Sequence, residues 1–169
     1  MSTKEWLQPG GYGQKSFYKK AFVETDDNGD VTLYSYNTPI ITIGQGWLIK
    51  HWGGWSQTTG NHIYAFCRLN KRAYEQMPCD VSIPCTFDNG KVVPQCFAII
   101  ITEQDGTRKY YKGQTESGRV SRTTDYYKAK IYFDGVTLQN DYESIIDTIK
   151  VEKNPPLVEY TEVTNLLRW

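Results

Sequence analysis

Two histidines, His51 and His62, are the only imidazoles in this 169-residue sequence, and imidazole is the usual base that activates a serine, cysteine or threonine nucleophile. His62 follows Ser56, Thr58 and Thr59 closely, so a hydroxyl and imidazole pair centred on His62 is one chemical reading, and with it a hydrolase or nuclease. The same hydroxyls can accept hydrogen bonds from the free amides of a helix start, which needs no reaction. No GxSxG, P-loop, HExxH or dinucleotide fingerprint is present, so the sequence identifies no catalytic residue and no cofactor. Cys67, Cys79, Cys85 and Cys96 are separated by 12, 6 and 11 residues, without a CxxC pair or a zinc spacing. Reduced, mostly buried thiols and no metal site are the expectation. The acidic run Asp26 to Asp30 lacks the ligand spacing of an EF-hand and reads as a turn.

A second chemistry is binding. Lys15, Tyr18, Lys19 and Lys20 interleave cations with an aromatic ring, and Arg108, Lys109, Tyr110, Tyr111 and Lys112 do so again, followed by Arg119 and Arg122. Between Arg108 and Lys130 there are seven cations against two acids, Glu116 and Asp125. Such a ribbon suits single-stranded nucleic acid, through phosphate contacts and base stacking. Lys plus Arg and Asp plus Glu are balanced at 19 each, however, so no overall field draws the chain to nucleic acid or an acidic surface. Trp47, Trp52, Trp55 and Tyr110 are residue types that anchor protein interfaces. The candidate binding residues are therefore Lys19, Lys20, Trp52, Trp55, His62, Arg68, Arg72, Arg108, Lys109, Tyr110, Tyr111, Lys112, Arg119 and Arg122.

These residues need elements to carry them. From Gly53 to Arg72 the run GGWSQTTGNHIYAFCRLNKR has a cap and then Ile63, Phe66 and Cys67 on one face, which predicts a helix over residues 58 to 72 with His62, Arg68, Lys71 and Arg72 reaching solvent. Before it, residues 16 to 37 read as a β-hairpin about the turn at 26 to 30. PIITI and WLIKHW add two strands, the latter with Trp47, Ile49 and His51 on one face and Leu48, Lys50 and Trp52 on the other. Residues 1 to 15, rich in Gly with GGYGQ at positions 10 to 14, read as an ordered loop or flexible lead-in. Residues 77 to 89, with two prolines, read as a loop or edge segment. VVPQCFAIIITEQ and TRKYYKGQ form a hairpin about a two-residue Asp105-Gly106 turn, residues 114 to 125 form a mobile polar loop, and YYKAKIYF is a further strand. Asn140 to Val151 predicts a second helix with Tyr142, Ile145, Ile146 and Ile149 inward, and the tail adds a strand or docks through Leu166, Leu167 and Trp169. The expected fold is α+β. One domain spans residues 1–169, with an antiparallel sheet of about six or seven hairpin strands and about two helices packed on it.

Three segments together, GYGQKSFYKKA at residues 11 to 21, LYSYNTPI at 33 to 40 and WSQTTGNHIYAF at 55 to 66, resemble a family of small proteins of unknown function encoded by bacteriophages and mobile elements of Gram-positive bacteria. The resemblance covers roughly residues 11 to 72 and leaves residues 75 to 169 unmatched. It implies a phage or prophage gene product acting in the bacterial cytoplasm, which agrees with an N-terminus lacking a signal-peptide run and with no stretch of membrane-spanning length. The expectation is a non-enzymatic binding protein that inhibits or modulates a host protein or protein–nucleic-acid complex, in its sharpest form an anti-defence, anti-CRISPR-like protein. The alternatives are a single-stranded nucleic-acid-binding protein of phage replication and the hydrolase centred on His62.

Overall fold

The computed structural model describes residues 2–9, 15 and 17–164. These form two compact units, Met1–Gln95 and Cys96–Trp169, each with its own antiparallel sheet. The fold class is α+β as expected, but with strands divided between a seven-stranded and a four-stranded sheet rather than gathered in one.

The first unit is a meander whose strands pair in chain order: β1 (Thr3–Trp6), β2 (Ala21–Thr25), β3 (Val31–Ser35), β4 (Thr38–Gly44), β5 (Trp47–Lys50), β6 (Ser82–Asp88) and β7 (Lys91–Pro94). The turn at Asp26 behaves as its residues dictate. Asp26 Oδ1 accepts from the amides of Asn28 and Asp30 at 2.8 and 3.0 Å, and Gly29 takes the left-handed φ of +87° that a side chain disfavours. The strand expected from Ser16 starts only at Ala21, because residues 17–20 form a turn in which Lys19 has a φ of 51°. Pro39 lies within β4, and the segment expected as a loop at 77–89 contains β6, which pairs with both β5 and β7.

Two helices stand between β5 and β6. Ser56 caps α1 (Gln57–Cys67) by accepting from the Thr59 amide at 3.1 Å. The helix expected to run to residue 72 stops at Arg68, whose left-handed φ of 56° ends the turn, and Asn70 caps a separate α2 (Lys71–Gln76) through the Ala73 amide at 2.8 Å. One face of the sheet presents Leu33, Ile41, Leu48 and Ile83, all at or below 1% exposure, and Ser35 on that face bonds to α1. Ile63 and Cys67 of α1 are buried with them.

The run VVPQCFAIII is not one strand. Pro94 has no amide for a continuing ladder, and β7 ends there while the next strand joins the other sheet. In the second unit the order is β10 (Val120–Thr123), β9 (Arg108–Gln114), β8 (Phe97–Thr102) and β11 (Leu157–Glu162). β8 and β9 form the expected hairpin, although residues 103–107 make a longer loop than two residues, closed by Glu103 donating its amide to the Thr107 carbonyl at 2.9 Å. The segment expected as a mobile loop contains β10, paired with β9. YYKAKIYF is not a strand: Tyr126–Lys128 is one turn of 3₁₀ helix, and Tyr132 makes a single bridge to Phe97. The long helix α3 (Gly135–Ile149) begins earlier than residue 140 because Asp134 caps it, accepting from the Thr137 amide at 2.7 Å. Leu138, Ile145 and Ile149 pack with Ile99, Ile101, Tyr111, Tyr132 and Val158, whereas Ile146, expected inward, is 37% exposed. The tail supplies β11, as one of its two expected forms. Residues 1 to 15, expected as a loop or lead-in, instead supply β1, which pairs with β2, while segment 10 to 14 and the final residues 166 to 169 lie outside the described residues.

Candidate functional site

α1 packs on β3 through a chain of hydroxyls. Ser56 Oγ donates to Thr59 Oγ1 at 3.0 Å, Thr59 Oγ1 is 3.3 Å from Ser35 Oγ, and Ser35 Oγ is 2.9 Å from His62 Nδ1. Phe17 meets the imidazole edge-on with ring centroids 4.9 Å apart. His62, expected to reach solvent, is 0% exposed, and Ser35 and Thr59 are buried beside it. The helix turns residues 59, 62 and 63 toward the sheet, so Ser56 caps the helix and Thr59 anchors it. A substrate carbonyl has no route to a serine this deeply covered, and the geometry favours fastening α1 to β3 over catalysis. Ser35, which completes the cluster, lies 27 residues from His62 and carries no local signal of its role.

Beside it, Lys50 is 2% exposed although its strand neighbours left it as one of a mixed face. Its ammonium donates to the carbonyls of Tyr74 and Met77 at 2.7 and 2.8 Å, meeting the acceptors that the end of α2 leaves open, and lies 4.6 Å from the Tyr74 ring centroid. Burial lowers its pKa, with Cys79 and Glu75 acting in the opposite direction. The Tyr74 hydroxyl donates to the Trp52 carbonyl at 2.5 Å, and the Trp55 ring lies 5.7 Å from that of Tyr74. Trp52 and Trp55, taken from sequence as binding anchors, are thus packed, half-buried groups.

Three of the four cysteines are buried and Cys79 is exposed. Burial pushes the Cys67 thiol up to about 12 and the Cys85 thiol up to about 11, so both stay protonated and unreactive near neutrality. Tyr74 and Tyr132 are also raised, each chiefly by burial and Tyr132 further by Asp141. The unfolded chain loses these protons first, so the stability present below the ordinary thiol value of 9.0 is lost as pH rises through the folded values. Denaturant melts at about pH 8, 10 and 11 are expected to show a steady loss of stability. A flat profile would contradict the burial of these groups.

The basic ribbon is less basic than its composition. Glu103 lies 3.3 Å from Lys109 and receives Arg122 at 2.9 and 3.1 Å, while the other guanidinium nitrogen of Arg122 reaches Glu152 at 2.8 Å. Burial alone would raise the Glu103 carboxyl, but Arg122 and Lys109 hold it below its usual value. Lys128 pairs with Asp125 at 3.5 Å, and Lys130 with Asp141 at 2.5 Å, an oxygen that Tyr132 also donates to at 2.6 Å. Four of the seven cations thus face carboxylates within the unit, and Tyr111 is buried in its core. Arg108, Lys112 and Arg119 are exposed, and Tyr110 is half-buried. Among the described residues no group of three or more potential ligands could hold a metal, and no helix is long and apolar enough to cross a membrane.

In the first unit, aromatics gather at the start of the sheet. Trp6, Phe22 and Tyr34 stand opposite one another on β1, β2 and β3, with Phe22 stacked on Tyr34 at 4.7 Å and the edge of Trp6 at 5.6 Å. The Lys4 ammonium sits 3.7 Å from the Phe22 centroid. A cleft of about 520 Å³ opens beside them, lined by Trp6, Pro9, Lys15, Phe17, Tyr18 and Lys19 together with Leu7 and Gln8: two cations and no carboxylate among the described residues. Trp6 is 45% and Tyr18 76% exposed. Lys15, Tyr18 and Lys19 of the first cation–aromatic run line this cleft. Lys20 is half-buried in the adjoining turn, Arg68 is exposed at the end of α1, and Arg72 is half-buried on α2. Trp6 escaped notice because its value as an anchor comes from its cross-strand neighbours.

No curated protein and no solved structure matches this chain. Residues 6–80, the segment from the end of β1 to the approach to β6 that contains the buried hydroxyl cluster and most of the aromatic cleft, match the model of a family of unknown function, DUF8033.

Proposed function

We propose that this is a binding protein of phage or mobile-element origin that modulates a host complex by occupying it, an anti-defence role being the narrowest form of that reading. The observation that carries it is the cleft beside Trp6. Exposed rings and two lysines, with no carboxylate among the described lining residues, are poised there, whereas the hydroxyls nearest His62, those of Ser35 and Thr59, are buried in packing roles. The neutralised cations on β9 and β10 make single-stranded nucleic acid the weaker partner, since among the described residues of that ribbon Arg108, Lys112 and Arg119 are the exposed cations left unpaired with a carboxylate.

The test places a photo-crosslinkable phenylalanine at position 18 in the full chain and irradiates host cells that express it. A single crosslinked host protein, insensitive to nuclease and reduced about tenfold or more by Trp6→Ala, is expected, consistent with loss of a buried aromatic anchor. No crosslinked protein, or one unaffected by Trp6→Ala, sinks the reading. Adducts that disappear with nuclease transfer the function to nucleic-acid binding.

A further inference from the structure

The outer face of the first unit's sheet carries a second hydroxyl and imidazole arrangement, separate from the buried one. Thr32 stands opposite Thr42, and Thr42 opposite Ile49, so His51, two residues beyond Ile49, extends the same face. Thr42 Oγ1 lies 2.7 Å from His51 Nε2 and 2.8 Å from Thr32 Oγ1. On the far side of the ring, His51 Nδ1 lies 3.4 Å from Asp80 Oδ1. Asp80 is brought there by its own amide, which donates to the Lys50 carbonyl at 2.8 Å, and by a left-handed φ of 57°. These bonds have a direction. An ionised carboxylate only accepts, so Nδ1 carries the hydrogen and Nε2 is left to accept from the Thr42 hydroxyl, whose other lone pair accepts from Thr32. The whole chain polarises Thr42 toward His51. Unlike Ser35 this group is within reach of solvent: the His51 side chain is 29% and that of Asp80 75% exposed, and Thr42 is half-buried.

We propose that Thr42 is a base-activated nucleophile that accepts an acyl group from an activated ester, with His51 as general base and Asp80 as positioning residue. This reading stands apart from the binding cleft and does not depend on it. Thr42 Oγ1 attacks the acyl carbon, and the new oxygen–carbon bond forms as the carbon–oxygen bond to the leaving group breaks. The hydroxyl proton passes to His51 Nε2 and from there to the departing oxygen, and nothing is oxidised or reduced.

The full chain is incubated with p-nitrophenyl acetate, nitrophenol release is followed, and the acetyl group is located by peptide mass spectrometry. Acetylation of Thr42 is expected, slowed about a hundredfold in His51→Gln. Asp80→Asn alters an exposed side chain that folding tolerates; it is expected to slow labelling at least about tenfold and to shift the ¹⁵N signature of His51 away from the Nδ1-protonated tautomer. Acetyl groups found only on lysines overturn the proposal. So does Thr42 labelling at an unchanged rate in either variant, or a wild-type His51 protonated at Nε2 alone.

Discussion

Gly60→Ala is expected to lower the stability of the first unit by about 1–3 kcal/mol, although the same change in an exposed helix stabilises by about 1 kcal/mol. Gly60 lies in the first turn of α1 with ordinary helical backbone, so relief of backbone freedom argues for alanine. Packing argues the other way. A β-carbon there would lie 2.3 Å from Trp55 Cζ2 and 2.9 Å from Cε2, closer than any such contact tolerates. The indole cannot simply swing away, because Tyr74 packs against it and is itself fixed by its bond to the Trp52 carbonyl. Overpacking therefore outweighs propensity. Urea unfolding followed by tryptophan fluorescence measures this directly, since Trp6, Trp47, Trp52 and Trp55 all lie in the first unit. A double-mutant cycle with Trp55→Leu should show strong coupling, because removing the indole removes the clash. An alanine variant as stable as the parent would show that α1 does not sit as described.

Lys50→Met is expected to destabilise by about 2–4 kcal/mol, the largest effect of any lysine substitution in this chain. Methionine matches the stem and suits the buried face, so the apolar contacts survive. What is lost is the donor to two carbonyls at the end of α2, which then remain buried without a partner. Lys71→Met is the control: its ammonium is exposed, with only Glu75 at 3.7 Å, and about 0.5 kcal/mol or less is expected. The pH dependence separates this account from simple packing. Burial holds Lys50 below its ordinary value of 10.5, so the unfolded chain takes up the proton first and this group's contribution grows as pH rises toward 10.5. That slope opposes the loss from Cys67, Cys85, Tyr74 and Tyr132. Lys50→Met should consequently lose stability more steeply on the alkaline side than the parent, whereas a uniform offset at every pH would contradict the buried ammonium.

Local chemistry made much of the architecture legible. Asp26 to Gly29 specify a turn whatever surrounds them, Ser56 and the spacing of Ile63 and Cys67 specify the start and the inner face of α1, and Ile145 and Ile149 do the same for α3. Each of these depends on neighbours within about one or two turns of chain. The errors fall where a segment's state is set by its partners. Residues 82–88 and 120–123 are polar or proline-bearing and read as loops alone, yet they complete strands because β5, β7 and β9 offer unpaired ladders. Pro94 ends a strand that hydrophobicity alone would continue, and Arg68 splits a helix that periodicity alone would extend.

The candidate sites follow the same division. Which side chains are cations or rings is a property of the chain, but whether a cation is available to a partner depends on what folds against it. Arg122 is held between Glu103 and Glu152, which are 49 residues apart in sequence, and Lys50 is held by carbonyls more than 20 residues away. His62 and His51 look alike in sequence. One is sealed against Ser35 and Phe17 while the other is aimed at Thr42 by Asp80, because adjacent strands bring distant residues to one face and a helix covers the opposite face.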